Sequence, residues 1–330
     1  YEPPLRSPWQ AAPDGVDVLL DTGLIRQAFP GFAQDVRSVI HIRRAGSISA
    51  QQLGQYMLEE IRAAGGKLIR AELKGVAQTG AHGTAFTLEL ASDTGVQSIR
   101  AQRVVNAAGP FLKDVGAMLG EDVPVTCVYQ QKIAFQDREG AISRAMPFTI
   151  DLDGQTLTWS DEDRELLAGD PDTRKLVEPM PGGIHCRPDG AVDGNWIKMG
   201  WAYNHAPSDP HGEAPADPQF PDSVLRAGSR LHPGLAAYIG RLPRGAHHYG
   251  GYYTMTEENW PLIGPMKTEG AFVAGALSGF GSMAACATGS LCAAWVAGKP
   301  VPAYARSLSA ERYQDAALMS RLKELKKGTL

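Results

Sequence analysis

Phe272-Val273-Ala274-Gly275-Ala276-Leu277-Ser278-Gly279-Phe280-Gly281-Ser282-Met283-Ala284 is the stretch on which the fold turns. A short apolar strand leads through a glycine turn into a helix of almost wholly small residues, 284–297. First-turn N–H groups of a helix lack intrahelical partners and carry the positive end of its dipole, so the arrangement suits an electron-rich group on a ligand. Gly279-Phe280-Gly281-Ser282-Met283-Ala284 even satisfies the fingerprint G-x-G-x-x-G/A. A first dinucleotide-binding unit, however, needs a following strand and an acidic residue about 20 residues on to hold a ribose. Downstream lie only the helix, Gly298-Lys299-Pro300-Val301-Pro302 and, near the expected acid, Ala303, Tyr304 and Ala305. The first-unit reading fails, and a helix N-terminus aimed at a ligand remains.

The 330 residues suffice for two domains with separate cores. With 43% hydrophobic and 21% charged residues, 37 Gly and 23 Pro, the chain is rich in turns, which favours α/β or α+β over a helical bundle. A formal net charge of -4 and the lack of a lysine-arginine run argue against a nucleic-acid partner. No apolar run approaches the ~20 residues of a membrane span, and no signal peptide opens the chain. Cys127, Cys186, Cys286 and Cys292 are widely spaced with no C-x-x-C pair, which implies packing roles, no metal and a reducing, cytoplasmic setting. Tyr1 opens a run containing Pro3, Pro4, Pro8 and Pro13 that reads as a linker, and further sequence upstream is expected.

Residues 49–66 read as a helix: Ser49 caps it, Leu53, Met57, Leu58 and Ile61 form an apolar stripe, and Gly65-Gly66 stops it. Strands are expected at 67–73, 85–90 and 98–106, joined by turns at Gly80-Ala81-His82-Gly83 and Ser92-Asp93-Thr94-Gly95. The meander ends in Val104-Val105-Asn106-Ala107-Ala108-Gly109-Pro110, where small side chains let a backbone approach a ligand. A helix over 110–119 starts there, with proline suited to its first turn. From 123 to about 244, alternating runs such as 125–129 and Trp196–Trp201 predict a mostly antiparallel sheet. The acidic run 160–165 is a solvated loop or helix start, and 209–221 is an exposed connection. The tail, 309–330, reads as an amphipathic helix docked through Leu318, Leu322 and Leu325.

Two small-residue sites, Ala107-Ala108-Gly109 and Gly279-Phe280-Gly281, thus mark strand-to-helix junctions about 170 positions apart. Together they suggest one long cofactor contacted from two segments; tight helix–sheet packing without a ligand is the plainer alternative. Between them runs Gly250-Gly251-Tyr252-Tyr253-Thr254-Met255-Thr256-Glu257-Glu258-Asn259-Trp260-Pro261-Leu262-Ile263-Gly264-Pro265. In these residues the chain resembles the D-amino-acid oxidase / sarcosine oxidase (glycine oxidase-like) family of FAD-dependent amine oxidoreductases. The family's pattern is a tyrosine-threonine turn, polar residues, an apolar-proline-Ile-Gly segment, a strand, Ser-Gly-x-Gly and a helix. All of it occurs in order, and the resemblance covers roughly 18–299.

The resemblance implies an α/β (α+β) fold. An FAD-binding Rossmann-like domain (46–120 and 246–300), incomplete at its N-terminus, accompanies a mostly antiparallel substrate domain (1–45 and 121–245), with 301–330 a linker and helix. It places Ala107, Ala108 and Gly109 near the ADP part of FAD and the main chain of Leu73 or Lys74 near the adenine. It sets Ser278, Gly279, Phe280, Gly281, Ser282 and Met283 along the pyrimidine side of the flavin ring. Negative charge near N1 and the C2 carbonyl of reduced flavin matches the helix dipole there, worth about a kcal/mol.

The departures from the family matter equally. The N-terminal G-x-G-x-x-G unit and its ribose-binding acid are absent, so either the chain is a fragment or a second polypeptide supplies them. Gly251 stands where related enzymes attach flavin to cysteine, which rules out attachment there. Phe280 and Met283 replace a histidine and a carboxylate-pairing lysine, which points to a bulkier or less anionic amine.

For the substrate face, the alternation over 198–205 puts Trp201, Tyr203 and His205 on one side, as an aromatic box over the flavin or as an ordinary core strand with His205 in the next loop. Tyr253 lies beside the ring by its place in the Tyr-Thr-Met-Thr match. His247-His248 read as a base, a metal pair or surface histidines, and adjacent strand residues face opposite ways. The expected activity is oxidation of the C–N bond of an amino acid or secondary amine, with hydride passing to flavin N5 and oxygen or another acceptor taking the electrons. The alternatives are a truncated, non-catalytic fragment and one subunit of a hetero-oligomer.

Overall fold

The computed structural model describes residues 1–3, 14–79, 85–190 and 193–325. In chain order it begins with strand β1 (Val16–Leu19), helix α1 (Thr22–Ala28), β2 (Val39–Ile42) and α2 (Ala50–Ala63). Strands β3 (Glu72–Thr79), β4 (Ala85–Ser92), β5 (Gly95–Ala101) and β6 (Val104–Asn106) follow, then α3 (Leu112–Met118). The middle holds β7 (Thr126–Gln136), β8 (Thr149–Asp151), α4 (Asp161–Gly169), β9 (Ile184–Asp189), β10 (Trp196–Trp201) and α5 (Phe220–Leu231). The chain continues through β11 (His247–Met255), β12 (Leu262–Pro265), β13 (Ala271–Gly275) and α6 (Gly281–Val296) to α7 (Ala305–Leu308) and α8 (Ala316–Glu324). No helix among the described residues is long and apolar enough to cross a membrane. The chain forms two compact units, one of residues 1–48, 130–204 and 216–251, the other of 49–129, 205–215 and 252–330.

The first unit is built on a sheet of order β11-β7-β10-β9-β8, with β10 antiparallel to both β7 and β9. Strand alternation sorts its side chains. Ile133 and Phe135 of β7, Ile184 and Cys186 of β9, and Ile197, Met199 and Trp201 of β10 bury against Phe220, Val224 and Leu225 of α5. A fully buried side chain of this size contributes roughly 1.5–3 kcal/mol, so this helix–sheet layer dominates the unit's stability. Lys132, His185, Arg187, Lys198 and Gly200 fall on the opposite face. Asp21 caps α1, its carboxylate accepting from the N–H groups of Gly23 at 2.7 Å and Leu24 at 3.0 Å.

The second unit holds a three-stranded sheet, β12-β13-β6, in which β13 runs antiparallel to β12 and parallel to β6. Helices cover its two faces. On one, Leu112 of α3 packs with Leu262, Val273 and Ala276; on the other, Leu291 and Cys292 of α6 pack with Ile263 and Phe272. Gly275 makes the first approach possible, because a Cβ there would lie 2.7 Å from Leu112 Cδ1. The antiparallel meander β3-β4-β5 joins this sheet through Phe86, Val104 and Ala271. The C-terminal segment docks through Arg312, fully buried and ion-paired with Glu258.

Several sequence expectations shift. The 49–66 helix is α2, capped by Ser49, whose Oγ accepts from Gln52 N at 3.2 Å. None of its side chains is fully buried, so the apolar stripe lies only half covered. The first meander strand is Glu72–Thr79 and not 67–73. Residues 98–106 split into β5 and β6, because β5 zips onto β4 whereas β6 pairs with β13. The 110–119 helix opens with a 3-10 turn, Gly109–Phe111, before α3. The acidic run is helix α4, capped by Ser160. Phe220 is no part of an exposed connection but the buried first residue of α5. In the tail Leu318 and Leu322 are buried while Leu325 is 56% exposed, past the end of α8. Cys127, Cys186 and Cys292 are buried, but Cys286 is exposed and has no packing role. The turn expected at 80–83 lies outside the described residues.

Candidate functional site

In the second unit, parallel pairing of β6 and β13 (Val104 opposite Ala271, Val105 opposite Phe272, Asn106 opposite Val273) makes both strands end on the same side of the sheet. Ala107-Ala108-Gly109 and the 275–281 turn therefore leave neighbouring strand ends. Asn106, buried at the end of β6, shapes the first exit: Nδ2 donates to Leu112 O at 2.8 Å and Oδ1 accepts from Ala108 N at 3.3 Å. Gly109 then turns with φ +58°, and nothing lies within 4 Å of the position its Cβ would take. Asn106 was not singled out in the sequence, where it reads only as a polar end to an apolar strand.

The second exit is a run of left-handed residues: Ala276 (φ 56°), Ser278 (φ 50°) and Gly279 (φ 88°). A non-glycine residue there costs roughly 1–2 kcal/mol, and such backbone clusters at functional sites. Ser278 N donates to Thr254 O at 3.2 Å and Phe280 N to Leu277 O at 2.8 Å, which holds the turn. Ser278 Oγ is buried with no hydrogen-bond partner. No side chain caps α6; the Met283 N–H donates to Phe280 O at 3.1 Å, the N–H groups ahead of it are left for a ligand, and space is open in front of Gly281. Ser282 and Met283 are exposed on the first turn. An unpartnered buried hydroxyl, an uncapped 16-residue helix and two open glycines fit a large ligand with a polar edge, such as FAD.

Tyr253 is half-buried in β11, and burial raises its phenol pKa, so it is a neutral hydroxyl at ordinary pH. Its neighbour Thr254 is buried 3.7 Å from Cys127 Sγ. Thr256 Oγ1 donates to Trp260 O at 2.7 Å and accepts from Trp260 N at 3.0 Å, closing the turn beyond the strand. Leu73 is half-buried, and Lys74 occupies the register break between Leu73 and Gly75, ion-paired with Glu72 at 2.7 Å. Gly251 is exposed with nothing within 4 Å of its Cβ position.

In the first unit the aromatic strand face is the core face. Trp201 is 1% exposed and donates Nε1–H to Pro181 O at 3.2 Å. Tyr203 meets it edge-on at 4.7 Å, donates its hydroxyl to Asp217 Oδ2 at 3.2 Å and stacks on Phe220. Burial, reinforced by Asp217, drives the Tyr203 pKa up. The open aromatic box is thereby corrected: α5 covers this face, and the alternation alone does not reveal which face a helix will take. His205 is exposed, lies beyond the end of β10 and belongs to the second unit. His247 and His248 diverge as strand neighbours must: His247 stacks on Trp196, while His248 Nε2 bonds Gln131 Oε1 at 2.9 Å and its ring stacks on Phe220. No group of three His, Cys, Asp or Glu among the described residues could hold a metal.

Sequence reasoning passed over the opposite face of this sheet. Gly200 stands between Lys132 and His185 in register, and Lys198 between Ala134 and Arg187. Lys198 Nζ sits 5.4 Å from the centre of the Tyr249 ring, and Phe148 stacks on His185 at 5.4 Å. The available signal was the alternation itself, in which Lys198 and Gly200 interleave with Ile197, Met199 and Trp201.

The family model described as FAD dependent oxidoreductase (DAO) matches residues 3–295. No curated protein matches the chain. Among solved structures, glycine oxidase from Geobacillus kaustophilus is similar at 18% identity and a TM-score of 0.62, over 89% of this chain and 66% of that one. L-proline dehydrogenase from P. horikoshii gives 17% identity and a TM-score of 0.64, over 91% of this chain and 69% of that one. Iminodiacetate oxidase from Chelativorans sp. BNC1 gives 19% and 0.61, over 89% and 67% respectively. The chain spans about two thirds of the length of these structures, and at such identities the likeness shows the fold.

Proposed function

Given that the chain belongs to the DAO family of FAD-dependent oxidoreductases, we propose that it serves the oxidation of the C–N bond of an amino acid or secondary amine. The unit of 49–129, 205–215 and 252–330 is the FAD-holding part, and the unit of 1–48, 130–204 and 216–251 the substrate part. The observation that carries this reading is the parallel β6–β13 pair, which releases both small-residue segments at the strand ends where α/β sheets take their ligands.

Ala107, Ala108 and Gly109 would follow the ADP part, the main chain of Leu73 or Lys74 the adenine, and Ser278 to Met283 the pyrimidine edge of the flavin. FAD held by these residues would supply the two-electron acceptor for hydride transfer from the carbon that bears the neutral amine. The chain's own groups do the remainder. The uncapped start of α6 favours negative charge at the ring edge by about a kcal/mol. Ser278 Oγ offers a hydrogen bond that nothing in the protein now takes up. Tyr253, kept neutral by burial, can donate to and orient the substrate. An amine that binds unprotonated needs no general base, and none is assigned. Trp201 and Tyr203 support β10 from the core side.

Anaerobic addition of amino acids and secondary amines to the FAD-loaded protein tests the reading. Bleaching of the flavin absorption is expected; bound flavin that no amine reduces would contradict it. A second reading, in which another polypeptide completes the cofactor site, draws on β6. It is an edge strand among the described residues, with Val105 43% exposed, and no residue of α2 is fully buried. Flavin retained only when a second polypeptide co-purifies would favour it.

A further inference from the structure

We propose that the sheet face carrying Lys132, His185 and Lys198 is an anion subsite, built for an amine or amino acid with two carboxylates. The amine part rests on the function proposed above; the anion subsite stands on the first unit alone.

Register places the groups. Lys132, Gly200 and His185 lie in one row across β7, β10 and β9, and Ala134, Lys198 and Arg187 lie in the next row on the same face. Lys132 and Lys198 are therefore diagonal neighbours, roughly 7–8 Å apart along the backbone by strand geometry and somewhat closer at Cβ. Glycine at 200 is part of the construction. A Cβ there would lie 2.5 Å from His185 Nε2 and 3.1 Å from Lys132 Cγ, so only glycine lets the imidazole and the lysine stem lie across the strand.

Charge gives the face its meaning. Arg187 has its own carboxylate, Asp189, at 2.6 Å. Among the described residues no carboxylate pairs with Lys132 or Lys198; the nearest compensation for Lys198 is the Tyr249 ring. Burial is the main cause of a lowered Lys132 pKa, and the like charges of Lys198 and Arg187 add to it. A half-buried ammonium close to the like charges of Lys198 and Arg187, of which only Arg187 has its own carboxylate, is electrostatically unfavourable in the free protein and is relieved by an incoming anion. A single carboxylate leaves one lysine uncompensated, whereas a short dicarboxylate spans both.

His185 supplies directionality. It is 6% exposed, and its Nδ1 makes no hydrogen bond of ordinary geometry, although the Gly183 backbone lies near enough to offset part of the effect of burial. Being neutral, it can donate one N–H without adding a third charge. Phe148 stacked on its ring and Tyr249 under Lys198 give the face apolar edges that hold the ligand's carbon chain.

The test is calorimetric titration of the purified full chain with glutarate, a dicarboxylate with no amine to oxidise. One-site binding is expected, weakened about tenfold or more in Lys132→Met and in Lys198→Met, and largely kept in Lys132→Arg. Butyrate, with one carboxylate, should bind about tenfold more weakly than glutarate. In the unmodified protein, glutarate should also shift the His185 imidazole resonances, a readout that needs no variant to fold. Absence of glutarate binding by the folded chain, equal binding of butyrate, or unchanged affinity in both methionine variants would overturn the proposal. Glutarate binding by a protein whose flavin no amine reduces would sink the oxidase reading and leave this subsite standing.

Discussion

Ser278 donates its backbone N–H to the carbonyl of Thr254 at 3.2 Å, so the turn before α6 is fastened to the strand that carries Tyr253. The bond holds Ser278 at φ 50°, a conformation glycine adopts without cost. The same residue also carries the unpartnered hydroxyl.

Ser278→Gly separates those two properties. It should leave the protein equally stable or more stable by up to about 1 kcal/mol in denaturant unfolding. It should also weaken FAD binding, because the hydroxyl is gone. Opposite signs in the two measurements identify strain kept for a ligand; a parallel loss of both would mean the side chain only packs.

Arg312 Nε donates to Glu258 Oε1 at 2.6 Å with both side chains essentially out of solvent, and Arg312 Nη1 donates to Pro261 O at 2.7 Å. Removing one partner strands the other's charge. Arg312→Leu should therefore cost about 3–5 kcal/mol, and Glu258→Leu combined with it should recover much of the loss. Unfolding midpoints of the two singles and the double measure the coupling.

His185 and His232 set an acid limit. Burial pushes both imidazoles down to about 4 from 6.5, with Lys132 a further cause at His185. His232 is pinned in one tautomer: Thr149 Oγ1 gives its proton to Cys186 O and accepts from Nε2–H at 2.9 Å. The folded state holds both rings neutral, whereas the unfolded chain takes up protons below pH 6.5. Stability is thus complete above about pH 6.5 and falls as pH drops towards 4, by a few kcal/mol for each ring. Replacing His232 by Gln should flatten the slope of unfolding free energy against pH by about one proton.

Gly200→Ala should destabilise by about 1–3 kcal/mol, because the new methyl meets the His185 ring. His185→Ala in the same chain should return part of that loss. Independent, additive costs in denaturant unfolding would show that the ring does not lie where the structure puts it.

Much of this was legible in the sequence because it rests on local pattern. The glycine turn and α6 follow from an apolar strand running into Gly275 and Gly279, and the β4–β5 hairpin from Asp93-Thr94-Gly95. What escaped depends on distant partners. Gln102-Arg103 looks like the polar phase of a continuing strand until β13 claims β6. Helix α5 hides behind a Pro- and Asp-rich connection, and with it went the knowledge that Trp201 and Tyr203 face a core. Once α5 is placed, alternation puts Lys132, His185 and Lys198 on the opposite side. The expectation of a bulkier or less anionic amine rests on Phe280 and Met283 alone.

The central claim is that the second unit's paired strand ends hold FAD. Titration of FAD into the purified chain, followed by flavin absorption and fluorescence, tests it most directly. One FAD per chain is predicted, with binding lost in Gly279→Val, whose side chain cannot adopt the φ of 88° that the turn requires. A folded chain that binds no FAD, or a Gly279→Val variant that binds it unchanged, would contradict the claim.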